Sequence, residues 1–254
     1  MRLFHVSDVH FGREDPLAIG WFEKLVKAEQ PDAVVMTGDL TMRARHHEFA
    51  DGLGWLQRLG VPVTVEVGNH DLPYFNPIDR FFRPYHRMTA IKRMVEQPLD
   101  LPGVAIVPLV TTARAQWRLN WSKGKASKGA LGRALALLAQ VPEGKLVFVA
   151  CHHPLIEPET RASAQTHRGA EALAALAAAG AHAVLTGHVH DPFDIAHTID
   201  GQTIRMIGAG TLSERTRTTP PSFNEIRIDG GKFDVLVRAM DGMPDEVLER
   251  ERAE

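Results

Sequence analysis

Five short polar clusters in this chain have the residue types and spacing for chemistry. They are Ser7-Asp8-Val9-His10, Thr37-Gly38-Asp39, Gly68-Asn69-His70-Asp71, Cys151-His152-His153-Pro154 and Thr186-Gly187-His188-Val189-His190. Their donors are carboxylate and amide oxygens and imidazole nitrogens, a set that suits Zn, Mn, Fe or Co. The chain has 13 histidines against 2 tyrosines, an excess that itself directs attention to metal ligation. Residues two apart on an extended segment point the same way, so Asp8 with His10, and His188 with His190, are expected to grip one ion each from extended loops. A two-ion site also needs a ligand shared between the ions. A carboxylate has two oxygens for that, and Asp39 is the central candidate.

Each cluster follows a short apolar run that reads as a buried strand: Leu3 to Val6, Ala33 to Met36, Val63 to Val67, Leu146 to Val149 and Ala183 to Leu185. Between them lie stretches with helical spacing, such as Trp21, Phe22, Leu25 and Val26, or Leu131, Leu135 and Leu138. Alternation of this kind predicts βαβ units in largely parallel sheets. Ligands bind at the carboxyl ends of such strands, so the five clusters are expected on one rim. The alanine-rich stretch from Glu171 to Ala179 reads as a helix rather than low-complexity sequence. Beyond Ile195 the pattern changes to alternating strands with turns at Asp200-Gly201 and Gly230-Gly231. Residues 1–240 are read as a single domain of α/β class and 241–254 as a charged C-terminal tail.

The clusters Asp-x-His, Gly-Asp, Gly-Asn-His-Asp, His-x-Pro and Gly-His-x-His, in this order, resemble the calcineurin-like metallophosphoesterase superfamily. The resemblance implies a two-sheet αββα sandwich and two divalent or trivalent metal ions, of Mn, Fe, Zn or Co. It implies one ion held by Asp8, His10 and His190, the other by Asn69, His152 and His188, and Asp39 with a hydroxide between them. That hydroxide is the implied nucleophile on a phosphoester. His70 matches the family histidine that serves the leaving group, so it is the catalytic candidate. His152 is preferred to His153 as ligand because the family histidine stands two residues before the proline, which leaves His153 to the substrate pocket. Asp71 is read as a cap on the turn that follows it, ahead of a role in orienting His70.

Arg13, close behind His10, and Arg215 and Arg217, which follow the strand end at Gly208-Ala209-Gly210, are the candidate substrate contacts, because guanidinium forks bind phosphate in bidentate fashion, whereas Arg43 and Arg45 after Asp39 are read as facing solvent. A second basic segment carries Arg114, Arg118, Lys123, Lys125 and Lys128 with Trp117 and Trp121 interleaved; it is read first as a solvated loop whose tryptophans pack on the core, and second as a surface whose composition suits single-stranded nucleic acid. Phe75, Phe81 and Phe82 are expected to anchor a helix after the Asn-His-Asp loop, and His5 and the other histidines outside the motifs to pack or face solvent.

Lys plus Arg is 29 and Asp plus Glu is 31, for a formal net charge of −2, which argues against a general polyanion binder. The single cysteine excludes an internal disulfide and a cysteine-based zinc module. No apolar run is long enough for a membrane helix, and the chain reads as cytoplasmic, with no membrane partner. The preferred reading is a phosphodiesterase of the type that hydrolyses cyclic nucleotides or glycerophosphodiesters. The alternatives are a nuclease or a nucleotide or phospholipid-precursor pyrophosphatase on the same site, and more remotely a non-catalytic scaffold. The expected partner is a small phosphodiester. Nucleic acid is less favoured, and self-association is left open.

Overall fold

The structure, a computed structural model, describes residues 1–73, 75–95, 99, 101–113, 122–164 and 166–240. The basic tryptophan segment from Arg114 to Trp121 and the tail 241–254 lie outside the described residues.

Among the described residues ten strands and six helices follow in the order β1 Arg2–Val6, α1 Pro16–Glu29, β2 Ala33–Met36, α2 His46–Arg58, β3 Val63–Val65, α3 Pro77–Phe82, α4 His86–Val95, β4 Val104–Pro108, α5 Lys128–Leu138, β5 Leu146–Ala150, α6 Gly169–Ala178, β6 Ala183–Thr186, β7 Phe193–Ile199, β8 Gln202–Gly208, β9 Ser222–Asp229 and β10 Lys232–Ala239. They form two five-stranded sheets, ordered β10-β9-β1-β2-β3 and β4-β5-β6-β8-β7. The βαβ units are parallel, as the alternation predicts. Antiparallel β9 and β10 extend the first sheet, and antiparallel β7 closes the second. The Asp200-Gly201 turn joins β7 to β8 and Gly230-Gly231 joins β9 to β10, all four residues at positive φ.

Strands β1, β2, β5 and β6 are buried along nearly their whole length, which explains their unbroken apolar runs. Their side chains feed three cores. Leu3, Val35, Phe148, Leu185 and Ile207 pack between the two sheets. Phe4, Phe22, Trp55 and Phe223 lie between the first sheet and its helices, with Phe4 and Phe223 rings 4.7 Å apart and Phe22 and Phe223 rings 4.9 Å apart. Val149, Val184, Ala134 and Leu173 lie between the second sheet and α5 and α6. The layering is therefore helix, sheet, sheet, helix. Each fully buried large side chain contributes about 1.5–3 kcal/mol from apolar burial alone.

Local signals set the helix starts. Asp15 caps α1, accepting from the Leu17 and Ala18 amides, with Pro16 in the first turn. Ser127 caps α5 through the Ala130 amide. One expectation fails here. Phe75, Phe81 and Phe82 are 65%, 48% and 78% exposed, so they do not anchor α3. A six-residue helix has too few turns to bury a full apolar face, and α4 supplies Met88 and Ile91 to the core instead.

Candidate metal centre

The register of the strands brings the five clusters together. Val6 pairs with Met36, and the parallel ladder runs on past both strand ends: the Asp8 amide donates to Gly38 O (3.0 Å) and the His10 amide to Asp39 O (3.0 Å). The second sheet approaches from the other side. The Gly187 amide donates to His152 O (2.9 Å), the His188 amide to Asp8 Oδ2 (2.7 Å), and the Thr211 hydroxyl to Asp8 O (2.6 Å). Two glycines make the approach feasible. A Cβ on Gly68 would stand 2.0 Å from Asp39 Oδ1, and one on Gly187 would stand 1.8 Å from Ser7 Oγ.

The loops are not extended, contrary to expectation. Asp8, His10, Asp39, His188 and His190 have φ of 56°, 53°, 52°, 73° and 64°, the left-handed region. Alternation along a strand therefore does not aim these side chains. The loops coil tightly past the strand ends, and hydrogen bonds across the sheets hold the strained conformations.

Among the described residues, four groups of donors have all their atoms within 4.8 Å of one another: Asp8, His10 and His190; Asp8, Asp39 and His152; His10, Asp39 and His70; and His152, His153 and His188. His190 Nε2 is 3.2 Å from Asp8 Oδ1 and 3.2 Å from His10 Nε2. Asp39 Oδ2 is 3.3 Å from His152 Nε2 and 3.8 Å from His10 Nε2, so this oxygen lies between the two halves of the cluster. Asn69 Oδ1 is 3.1 Å from His152 Nε2. Buried polar atoms within the cluster have no partner: Asp8 Oδ1 and His10 Nδ1. A buried carboxylate oxygen without a donor is costly unless a cation meets it, so the donor set fits metal ions.

Backbone carbonyls fix the ring tautomers. His152 Nδ1 faces Thr37 O at 2.8 Å, His190 Nδ1 faces Arg215 O at 2.8 Å, and His70 Nδ1 faces Met42 O at 2.7 Å. A carbonyl only accepts, so each Nδ1 carries the proton and each Nε2 lone pair turns to the centre. His153 differs. Its Nε2 donates to Ser122 O (2.8 Å) and its Nδ1 faces the Thr111 hydroxyl (3.0 Å), so both nitrogens have protein partners although the ring lies against His152 and His188. No sequence signal separates the two adjacent histidines in this way.

The charges follow from burial and proximity. Burial opposes ionisation of Asp8 and Asp39, but His190 beside the first and His152 beside the second hold both carboxyls well below the ordinary range. Burial, and then His152, push His188 down to about 3, and burial lowers His10. At His152 burial is outweighed by Asp39, which raises it to about 9.

Arg215 is the candidate substrate residue that reaches the centre. Its Nη1 lies 3.2 Å from His10 Nε2 and 3.4 Å from His70 Nε2. Arg13 instead points outward and pairs with Glu214 at 3.2 Å. Arg217 lines a separate cavity with Arg161. Asp71 does not cap the turn after it. It accepts from the amides of Leu40 (3.3 Å), Thr41 (2.8 Å) and Gly68 (2.9 Å) and so ties the loop after β2 to the loop after β3. The motif showed that residue, but its partners 30 positions away are visible only in the fold.

Two stacked sheets with this rim of carboxylate and imidazole donors define a class, the dimetal phosphoesterases. The calcineurin-like phosphoesterase family description matches residues 1–192, and the chain belongs to that family. The family works through two divalent metal ions, for which the donor clusters above are the candidates. A curated relative, the SbcD component of the SbcCD nuclease of Staphylococcus saprophyticus, is 23% identical over 77% of this chain, and the match spans 58% of that protein's length. The fold is shared with a dimetal phosphatase from Danio rerio (TM-score 0.66, 15% identity, 94% of this chain and 96% of that one). It is also shared with a purple acid phosphatase from yellow lupin seeds (TM-score 0.67, 14% identity, 96% and 52%) and a phosphopantetheinyl hydrolase from Mycobacterium tuberculosis (TM-score 0.51, 19% identity, 95% and 98%). Among the described residues no helix is long and apolar enough to cross a membrane.

Proposed function

We propose that this phosphoesterase is a phosphodiesterase acting on small phosphodiesters. In this reading Asp8, His10 and His190 hold one ion, Asn69, His152 and His188 hold the other, and Asp39 serves both. When bound, the ions lower the pKa of a shared water and neutralise charge on the phosphoryl oxygens. The chain's own residues do the rest. Arg215 binds a phosphoryl oxygen and orients the substrate over the centre. His70, its Nδ1 proton committed to Met42 O, takes a proton from solvent at Nε2, the atom turned to the centre, and gives it to the leaving-group oxygen. Asp71 holds the loops that carry Asp39 and Asn69 in register.

The observation that carries the reading is the meeting of one guanidinium with His70 at the centre. A phosphodiester has one negative charge, which a single arginine beside two ions suffices to meet. His70 then supplies the proton that an alkoxide leaving group needs. A second reading, a nuclease, is supported by the name of the curated relative and uses the same chemistry on a strand. The test is a hydrolysis screen with Mn²⁺, comparing 4-nitrophenyl phosphate, bis(4-nitrophenyl) phosphate, cyclic nucleotides, glycerophosphodiesters and single-stranded DNA. Preference for the diesters over the monoester is expected. Preference for the monoester sinks the diesterase, and preference for DNA promotes the nuclease.

A further inference from the structure

A cavity of about 410 Å³ is lined by Arg161, Ala162, Thr216 and Arg217. Its walls come from the two loops that also build the centre. Arg217 is two residues beyond Arg215, whose carbonyl holds His190. Arg161 lies on the loop that leaves the centre at His152-His153-Pro154. That loop is pinned, not trailing: the Thr166 hydroxyl donates to Pro154 O (2.7 Å), the Ala164 amide to Glu157 Oε1 (3.0 Å) and the Thr160 hydroxyl to Ala162 O (3.1 Å).

Neither arginine has a carboxylate partner among the described residues. The acids nearby are engaged elsewhere. Glu214 pairs with Arg13, and Asp191 accepts from the Thr218 and Thr219 amides (2.8 and 3.1 Å). Glu157 is held by the Ala164 amide, and Glu159, two residues from Arg161, pairs with neither arginine. A guanidinium cannot shed its proton to relieve a like charge across a cavity. What relieves two of them is an anion, and the fork geometry matches phosphate oxygens.

We propose that this cavity is an anion subsite that receives a second phosphate of the substrate, separate from the one attacked. Arg215 serves the scissile phosphoryl group, and Arg161 with Arg217 serve the other. The substrate class narrows to phosphodiesters bearing a further phosphate. That phosphate is either a terminal monoester on a small molecule or the next diester of a strand. The inference rests on the diesterase reading only for which bond is cut. Its test therefore reads binding without turnover.

The Mn²⁺-loaded full chain is titrated by calorimetry with thymidine 5′-monophosphate, thymidine 5′-diphosphate and thymidine 3′,5′-bisphosphate. One of the two-phosphate ligands is expected to bind about tenfold tighter than the monophosphate. Arg161→Gln should remove that advantage and Arg161→Glu should reverse it. Arg161 is exposed, so both variants should keep the wild-type melting temperature. Equal affinity for all three ligands overturns the subsite, as does an advantage that survives both variants. The dinucleotide with an internal diester separates the sources: binding weaker than the best two-phosphate nucleotide assigns the cavity to a terminal monoester, and binding as tight assigns it to a strand. If the advantage holds while no diester is hydrolysed in the screen, the diesterase reading fails and the subsite stands. If diesters turn over and the advantage is missing, the subsite alone fails.

Discussion

Asp39 and His70 sit a few ångströms apart and are expected to fail in different ways. Asp39 Oδ2 faces both halves of the cluster, and its Oδ1 accepts from the His70 amide at 2.8 Å. Asp39→Ala should lose at least one ion, read by plasma mass spectrometry, together with nearly all turnover. Two retained ions and a normal rate would remove the shared-ligand model. His70→Ala should keep its metal content and slow turnover by about 10² to 10⁴, the range for a positioned acid or base. The loss should shrink for nitrophenolate, a leaving group that needs no proton. An equal loss for good and poor leaving groups would count against proton transfer by His70. These candidates were legible as types and order, because few residue types ligate metals and five such clusters in this order are specific. That both His153 nitrogens are engaged by other protein groups was not legible, since it depends on Thr111 and the Ser122 carbonyl, more than 30 residues distant.

At the scale of the elements, the site is a set of loops held at strand ends. Asp71 is the tie between two of them, with three backbone amides on its carboxylate. Asp71→Ala leaves those buried amides without an acceptor, at about 1–3 kcal/mol for each unmet group. A lowered melting temperature and weaker metal retention are expected together. An unchanged melting temperature would show that water replaces the carboxylate. Gly68→Ala is the complementary case, because its Cβ would stand 2.1 Å from the Asp39 amide nitrogen. Overpacking of a rigid site costs about 1–3 kcal/mol. The displaced loop carries Asn69, so activity should fall further than stability. A Gly68→Ala protein with wild-type rate would mean that the two loops have slack. The strands that carry the clusters and most of the helices between them were legible from apolar runs and helical spacing, though α4 was not. The exposed phenylalanines of α3 were not, because composition cannot tell a short helix that packs from one that only connects.

For the whole molecule, pH and salt dependence follow from where charges are placed. His5 is buried on β1, its Nε2 3.0 Å from the Thr37 hydroxyl and its Nδ1 3.3 Å from the Asn224 amide. Burial pushes it down to about 3, against an ordinary value of 6.5. Between those values the unfolded chain binds the proton and the folded chain does not, so stability is full above pH 6.5 and falls as pH drops toward 3. His5→Gln should flatten that decline, measured as urea midpoints from about pH 7 to about pH 4 at one fixed metal concentration. Parallel curves for the two proteins would show that other groups set the acid limit. With a net charge of −2, hydrolysis of a small diester should depend weakly on salt, and single-stranded DNA should bind poorly at physiological ionic strength. Micromolar, salt-sensitive DNA binding would favour the nuclease.

The sequence by itself determined the donor types, their order along the chain and the strands they follow. Those are local properties, fixed by side-chain chemistry and by a periodicity of a few residues. The tertiary structure decided which donors share an oxygen or a ring edge, because Asp8 meets His190 across 182 positions only when the two sheets stack. It decided the left-handed backbone at Asp8, His10, Asp39, His188 and His190, which Asp and His tolerate better than most residues but which hydrogen bonds between the loops hold here. It also separated the arginines, turning Arg13 outward to Glu214 and Arg215 inward to the histidines, while Arg217 lines a cavity with Arg161. A guanidinium's flexible stem has no direction of its own, and the partner within reach sets it.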